Sequence, residues 1–192
     1  MFVTRHAGVA ASVSRLRAFG VDRSHTERTL PGLYDVPTLG LNYRMGEMQA
    51  ALGRSQLRRI EENLERRRVN FEALERALHG LAPLRVLDAA GPDAGSSHYC
   101  LSVVVEGSMA RCRDEIVKRL NAGGVGTSVY YPQPVPRMRY YRDKYGYDAS
   151  RFRQATAISD HSVALPVGPH IAGEDIEYMA DALRRALREV NP

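Results

Sequence analysis

Apolar residues recur at helical spacing over two stretches of the first half of the chain. Val9, Val13 and Leu16 share one face of a helix that Thr4 can cap and Gly20 can stop. An irregular stretch follows, GVDRSHTERTLPGLYDVPTLG, punctuated by Pro31, Gly32, Pro37 and Gly40. A connection of that length usually marks a functional loop. From Gly46 to about His79 the helical period returns. Met48, Ala51 and Leu52 form a short face, and Leu57, Ile60, Leu64, Phe71, Leu74 and Leu78 follow at spacings of three, four or seven. Arg67 and Arg68 stand where another apolar residue would continue the seam, and their aliphatic stems can cover it. The segment reads as one arm that Gly53 kinks or divides, about 50 Å long at 1.5 Å per residue.

From Leu84 the pattern shortens. LRVL is a short strand, GPDAGSS a turn, and HYCLSVVVE a strand. MARCRDEIVKRLNAGG is a helix through Ile116, Val117 and Leu120, stopped by Gly123 and Gly124. VGTSVYY reads as a strand, and YPQPVPRMRYYRDKYGYD as a loop because Pro132, Pro134 and Pro136 forbid regular pairing. RFRQATAIS is a short helix and SVALPV the last strand. The final helix starts at Gly173, with Glu174, Asp175 and Glu177 near its start and Arg184, Arg185 and Arg188 near its end, as the helix dipole favours. The expected fold class is α/β: a helical arm and linker loop over residues 1–80, then a small α+β domain over 81–192 with helices packed on one side of its sheet.

Composition narrows the function classes. The chain has 192 residues, 44% hydrophobic and 26% charged, enough to bury a real core. No apolar run approaches the roughly 20 residues a membrane-spanning helix needs. The N-terminal residues carry no acid before Asp22 and share the composition of a targeting segment, but Arg5 and His6 interrupt any apolar run and a helix is the expectation. The net charge of +5 raises nucleic acid as a partner, yet basic residues are dispersed and RSQLRRIEENLERRR mixes both signs, so a solvated face and no nucleic-acid partner are expected. Cys100 and Cys112 suit buried reduced thiols of a cytoplasmic protein, and the six histidines never fall at metal-ligand spacing. His98 is expected to be packed or hydrogen-bonded. Lys118 and Lys144 are the only lysines, which confines any amine chemistry to them or the N-terminus.

Two places carry candidate chemistry. Asn42, Tyr43 and Arg44 run directly into a helix start, where an amide, a forked guanidinium and the helix N-terminus together suit an anion; a cap beside a surface Arg is the other reading. In VYYPQPVPRMRYY, tyrosines and arginines crowd a proline-stiffened loop that suits a sugar, a base or a diphosphate, or packs tyrosines on the surface.

In order along the chain, VTRHAGVAASVSRLRAFGVDR, LNYRMGEMQAALGRSQLRRIEENLERRR, VGTSVYYPQPV and SVALPVGPHIAGEDIEYMADAL resemble the DegT/DnrJ/EryC1/StrS family of pyridoxal-phosphate-dependent sugar aminotransferases. The run with Asn42, Arg44, Glu47, Gln49 and Gly53 is the most specific part. The resemblance implies the C-terminal part of a fold-type-I transferase, with the Schiff-base lysine domain outside this chain and nothing carried over to Lys118 or Lys144. It implies pyridoxal phosphate as cofactor, and as partners a nucleotide-linked keto sugar, glutamate, and either a homodimer or a chain bearing the lysine domain. Asn42 and Arg44 would then bind cofactor phosphate, or Arg44 the anionic substrate. Gly46 stands where the family often has Ser. Tyr130, Tyr131 and Pro132 would contact the nucleotide-sugar, with Tyr in place of the usual His. No catalytic residue and no metal ligand is assigned to this chain, and an interaction module or half of a split enzyme is the alternative.

Overall fold

Leu101, Val103 and Val105 alternate along one strand, so all three side chains face the same way and all three are buried. The strand is the centre of the sheet. The computed structural model describes residues 2–22, 25–27, 29–30, 32–87 and 95–190. Its chain divides into two compact units, Met1–Arg58 and Arg59–Pro192. Among the described residues no helix is long and apolar enough to cross a membrane.

The second unit holds an antiparallel sheet, β1 (Leu84–Val86), β2 (Cys100–Val105) and β3 (Ser162–Pro166), in the order β1-β2-β3. Leu101 pairs with Leu165, and Val103 sits between Val86 and Val163. Helices α3 (Ile60–Leu78), α4 (Arg113–Ala122) and α7 (Gly173–Glu189) complete the core with Leu74, Leu78, Ile116, Leu120, Ile176 and Leu183. Each such side chain contributes roughly 1.5–3 kcal/mol on full burial. Arg184 ties α7 to α3 by donating to the carbonyl of Ala77 at 2.5 Å. Asp175 accepts from the Ala172 N–H at 2.8 Å and fixes the start of α7. Val104, Ser162 and Ala164, at the alternate register positions, are buried as well, and α6 (Arg153–His161) lies against β2. Both faces are therefore covered, not one as expected.

Three local expectations are corrected. The stretch VGTSVYY forms no strand beyond a single rung, in which Ser128 and Ala164 exchange hydrogen bonds of 3.1 and 2.8 Å. The Thr127 N–H is taken by Asn121 Oδ1 and cannot join a ladder. The proline-rich loop ends sooner than expected, because its last proline is Pro136; Arg139–Tyr145 contains no breaker and forms helix α5, closed by Gly146 at φ +77°. The segment 46–79 is two helices, α2 (Glu47–Leu57) and α3, and the interruption falls at Arg58 and Arg59, not at Gly53.

In the first unit, α1 (Ala7–Leu16) begins after His6 and not at Thr4, whose hydroxyl instead accepts from the His6 N–H at 3.1 Å. Among the described residues of this unit only Gly20 is buried. Met48 is 88% exposed and Leu52 64%, so the apolar face of α2 finds no cover within the described residues.

Candidate functional site

Asn42 is placed by backbone pairing with the segment that leaves α1. The N–H groups of Leu41, Phe19 and Tyr43 donate to the carbonyls of Leu16, Leu41 and Arg17 at 2.7, 3.1 and 2.9 Å, and Ala18 and Asn42 form the central rung. Two glycines permit this approach. A Cβ on Gly40 would lie 2.0 Å from the Gly20 nitrogen, and one on Gly20 would lie 1.9 Å from the Thr38 oxygen. Gly20 also holds φ +75°, which a side chain would oppose.

The pairing sets Asn42 and Arg44 just ahead of α2. Gly46 supplies no capping side chain; its own N–H is held by Gln49 Oε1 at 2.9 Å. The Arg44 guanidinium rests over the Phe19 ring, 5.1 Å from its centroid, a cation–π contact that steadies an otherwise exposed side chain. Both residues line an open groove of about 1450 Å³, together with Thr4, Ser14, Arg17 and Gln49 among apolar neighbours. No carboxylate lines it among the described residues. Two amides, two guanidinium groups and, with Tyr43, three hydroxyls without an opposing acid suit a phosphate, so the donor set fits the phosphate of pyridoxal phosphate. Arg17 escaped the sequence reading, since only the pairing with 41–43 brings it there.

The second cluster lies within the other unit. Tyr130 stands edge-on to Tyr99 and to Tyr131, with centroids at 5.7 and 5.8 Å. Hydrogen bonds from the hydroxyls of Tyr99 and Ser128 lower the Tyr130 phenol below the usual tyrosine value, and the same bond raises that of Tyr99. Tyr131 is 68% exposed. The Pro132 carbonyl accepts from Arg137, whose guanidinium also makes a forked pair with Asp160. That bond holds the Asp160 carboxyl below the usual aspartate range.

Tyr130 also borders a cavity of about 260 Å³ lined by Arg67, Tyr99, Thr127, Ser128 and His170. Arg67 does not merely cover the seam of α3: its head donates to the carbonyls of Tyr99 at 3.0 Å and His98 at 3.5 Å. Arg68 instead turns outward and pairs with Glu65 and Glu72, both at 2.6 Å. An arginine at an apolar seam position was the signal for Arg67, but the carbonyls that orient it come from the segment leading into β2, some thirty residues away in sequence. His98 packs against Phe71 at 4.8 Å. Lys118 is exposed on α4, and Lys144 lies beside Tyr140 on α5, 3.2 Å from its hydroxyl.

A sequence model of the DegT/DnrJ/EryC1/StrS aminotransferase family matches residues 1–184. The chain is 26% identical over 182 residues to the erythromycin biosynthesis sensory transduction protein EryC1 of Saccharopolyspora erythraea, covering 95% of this chain and 45% of that protein. It is 25% identical over 146 residues to the lipopolysaccharide biosynthesis protein RfbH of Salmonella typhimurium, covering 76% and 33%. The fold is similar to that of Helicobacter pylori PseC, an aminotransferase involved in the biosynthesis of pseudoaminic acid, with a TM-score of 0.87 at 19% identity, over 98% of this chain and 48% of that one. The chain spans about half or less of the length of these relatives.

Proposed function

We infer the function from one premise: the chain belongs to the DegT/DnrJ/EryC1/StrS aminotransferase family. Its fold is that of the C-terminal part of a fold-type-I transferase. We propose that it completes an enzyme moving an amino group from glutamate to a nucleotide-linked keto sugar, for polysaccharide, lipopolysaccharide or antibiotic sugars, that the lysine-bearing domain lies in a stretch of polypeptide other than these 192 residues, and that the enzyme works as a dimer. On this reading residues 1–80 complete the large domain and 81–192 form the small one. The observation that carries the reading is the groove: Asn42 and Arg44 stand exposed on a wall free of carboxylates, in a unit whose described residues bury no apolar side chain.

The electron sink for amino transfer is what pyridoxal phosphate supplies when bound. The residues of this chain bind and orient. The Asn42 amide would donate to a phosphate oxygen, and Arg44, steadied over Phe19, would offer its fork to the same phosphate or to the acidic substrate. Tyr130, Tyr131 and Pro132 form a wall for the nucleotide-sugar, held in place through the Pro132 carbonyl by Arg137 and Asp160. A non-catalytic interaction module is the second reading; it is favoured by the lysines of the second unit, since Lys118 is exposed on α4, Lys144 lies beside Tyr140 on α5, and neither lines the cavity beside Tyr130.

The purified chain is mixed with a separately produced polypeptide bearing the family's lysine domain, and glutamate-dependent amination of a nucleotide-linked keto sugar is followed. Turnover that needs both polypeptides and drops at least tenfold on Asn42→Ala is expected. Association without turnover supports the interaction module, and no association at all defeats both readings.

A further inference from the structure

The cavity beside Tyr130 has a chemical character that the sugar-facing role of the tyrosines does not explain. Arg67 is half-buried, its guanidinium is oriented by two backbone carbonyls, and no carboxylate lies within ion-pair distance among the described residues. Two further groups around it can donate a hydrogen bond to an anion, the Tyr130 hydroxyl and the His170 imidazole, whereas the Thr127 hydroxyl is held by Asn121 and those of Tyr99 and Ser128 by Tyr130. Arginines elsewhere in this unit, such as Arg68, Arg85, Arg119 and Arg137, are paired with acids. An uncompensated guanidinium drawn partly out of water is a standing attraction for an oxyanion.

The cavity is also shaped to stay open. Gly168 forms part of its wall, and a Cβ there would meet the His170 ring at 2.6 Å. Asn70 pins this turn by donating to the carbonyls of Gly168 and Ile171 at 2.9 and 3.1 Å. Asn121 holds the opposite wall by accepting from the N–H and hydroxyl of Thr127 at 3.2 and 3.0 Å. At about 260 Å³ the space falls below the roughly 300–1,000 Å³ usual for a drug-sized ligand, so it suits an anionic group and not an entire nucleotide-sugar.

We propose that Arg67 anchors a built oxyanion pocket with Tyr130 and His170, which takes a phosphate or carboxylate group of a ligand whose remainder lies along Tyr99. The proposal deepens the reading of Tyr130 as a substrate contact and shares that residue with it. Two ligands of the proposed reaction carry the required chemistry, the diphosphate of a nucleotide carrier and the carboxylate of an amino donor.

The test is an amide ¹H–¹⁵N shift titration of the full chain with inorganic phosphate, uridine diphosphate and L-glutamate in separate arms. Saturable shifts at Thr127, Ser128 and Gly168 are expected in at least one arm. Phosphate and uridine diphosphate acting without glutamate identify the carrier as the source, and glutamate alone identifies the donor. Arg67→Lys keeps the stem and charge but loses the fork, and should weaken binding at least tenfold. If it loses the native spectrum, Tyr130→Phe decides, with a severalfold loss expected. No saturable shift in any arm, or binding unchanged in a folded variant, overturns the proposal. Failure here beside successful amino transfer by the two-polypeptide mixture leaves the family reading standing, whereas Arg67-dependent binding without that turnover leaves the pocket standing.

Discussion

Gly20 and Gly40 show how much of the first unit depends on atoms that are not there. Their backbones approach so closely that a Cβ on Gly40 would lie 2.0 Å from the Gly20 nitrogen, a distance no side-chain adjustment relieves. Gly40→Ala should therefore cost more than about 1 kcal/mol of local stability. Amide exchange should lose protection at Phe19, Leu41 and Tyr43 and stay unchanged along β2; retained protection at those three residues would refute the argument. The Arg137–Asp160 pair makes a pH-dependent claim. Arg137 holds the Asp160 carboxyl below its usual value, so the pair's contribution is fully present above the unfolded aspartate value, near 3.9, and is lost as pH falls through the lower folded one. Both side chains are about a third exposed, which limits the contribution to about 1 kcal/mol. Arg137→Met should be less stable than the parent in urea at neutral pH, with the gap closing as the pH falls from about 5 to 2. A gap that widens on acidification would reverse the sign and defeat the assignment.

Helices and strands were legible where one pattern ran uninterrupted. In α7, Ile176, Met179, Ala180 and Leu183 line one face while acids and arginines sit at its opposite ends, and the helix forms there. In β2 the apolar run bounded by turn residues sufficed. The sequence misled where a neighbour in space decides. The run VGTSVYY has the composition of a strand, but Asn121 takes the Thr127 N–H within it and only Ser128 pairs. Helix α5 was hidden by the prolines before it, although none of them lies inside it. In the candidate sites, the local run marked Asn42 and Arg44 and the aromatic crowding marked Tyr130; Arg17 and Arg67 were missed because backbone from elsewhere in the chain places them. A paired substitution separates the two kinds of helix. Leu74→Ala, in the core on α3, should cost about 2–5 kcal/mol. Leu52→Ala, 64% exposed on α2, should stay within about 0.5 kcal/mol by the same urea unfolding. Equal losses would mean that α2 packs on something in the isolated chain.

For the molecule as a whole, apolar burial is divided unequally between the two units. Every buried apolar side chain among the described residues lies in the second unit, from Leu74 to Val190. The first unit shows Leu39, Met48, Leu52 and Leu57 to solvent at 58% or more. Stability follows burial, so the two units should not unfold as one. Amides of Leu101, Val103 and Val104 should exchange only through global opening of the second unit, whereas amides of α1 and α2 should exchange through local openings costing little free energy. Exposed apolar surface on this scale also favours association, so the isolated chain should bind a hydrophobic dye and self-associate as concentration rises. A polypeptide that covers the first unit, such as the lysine-bearing domain of the family, should suppress dye binding and slow exchange in α1 and α2 without altering β2. If α1 and α2 in the isolated chain are already protected as strongly as β2, the unit needs no cover, and the expectation of a missing partner fails.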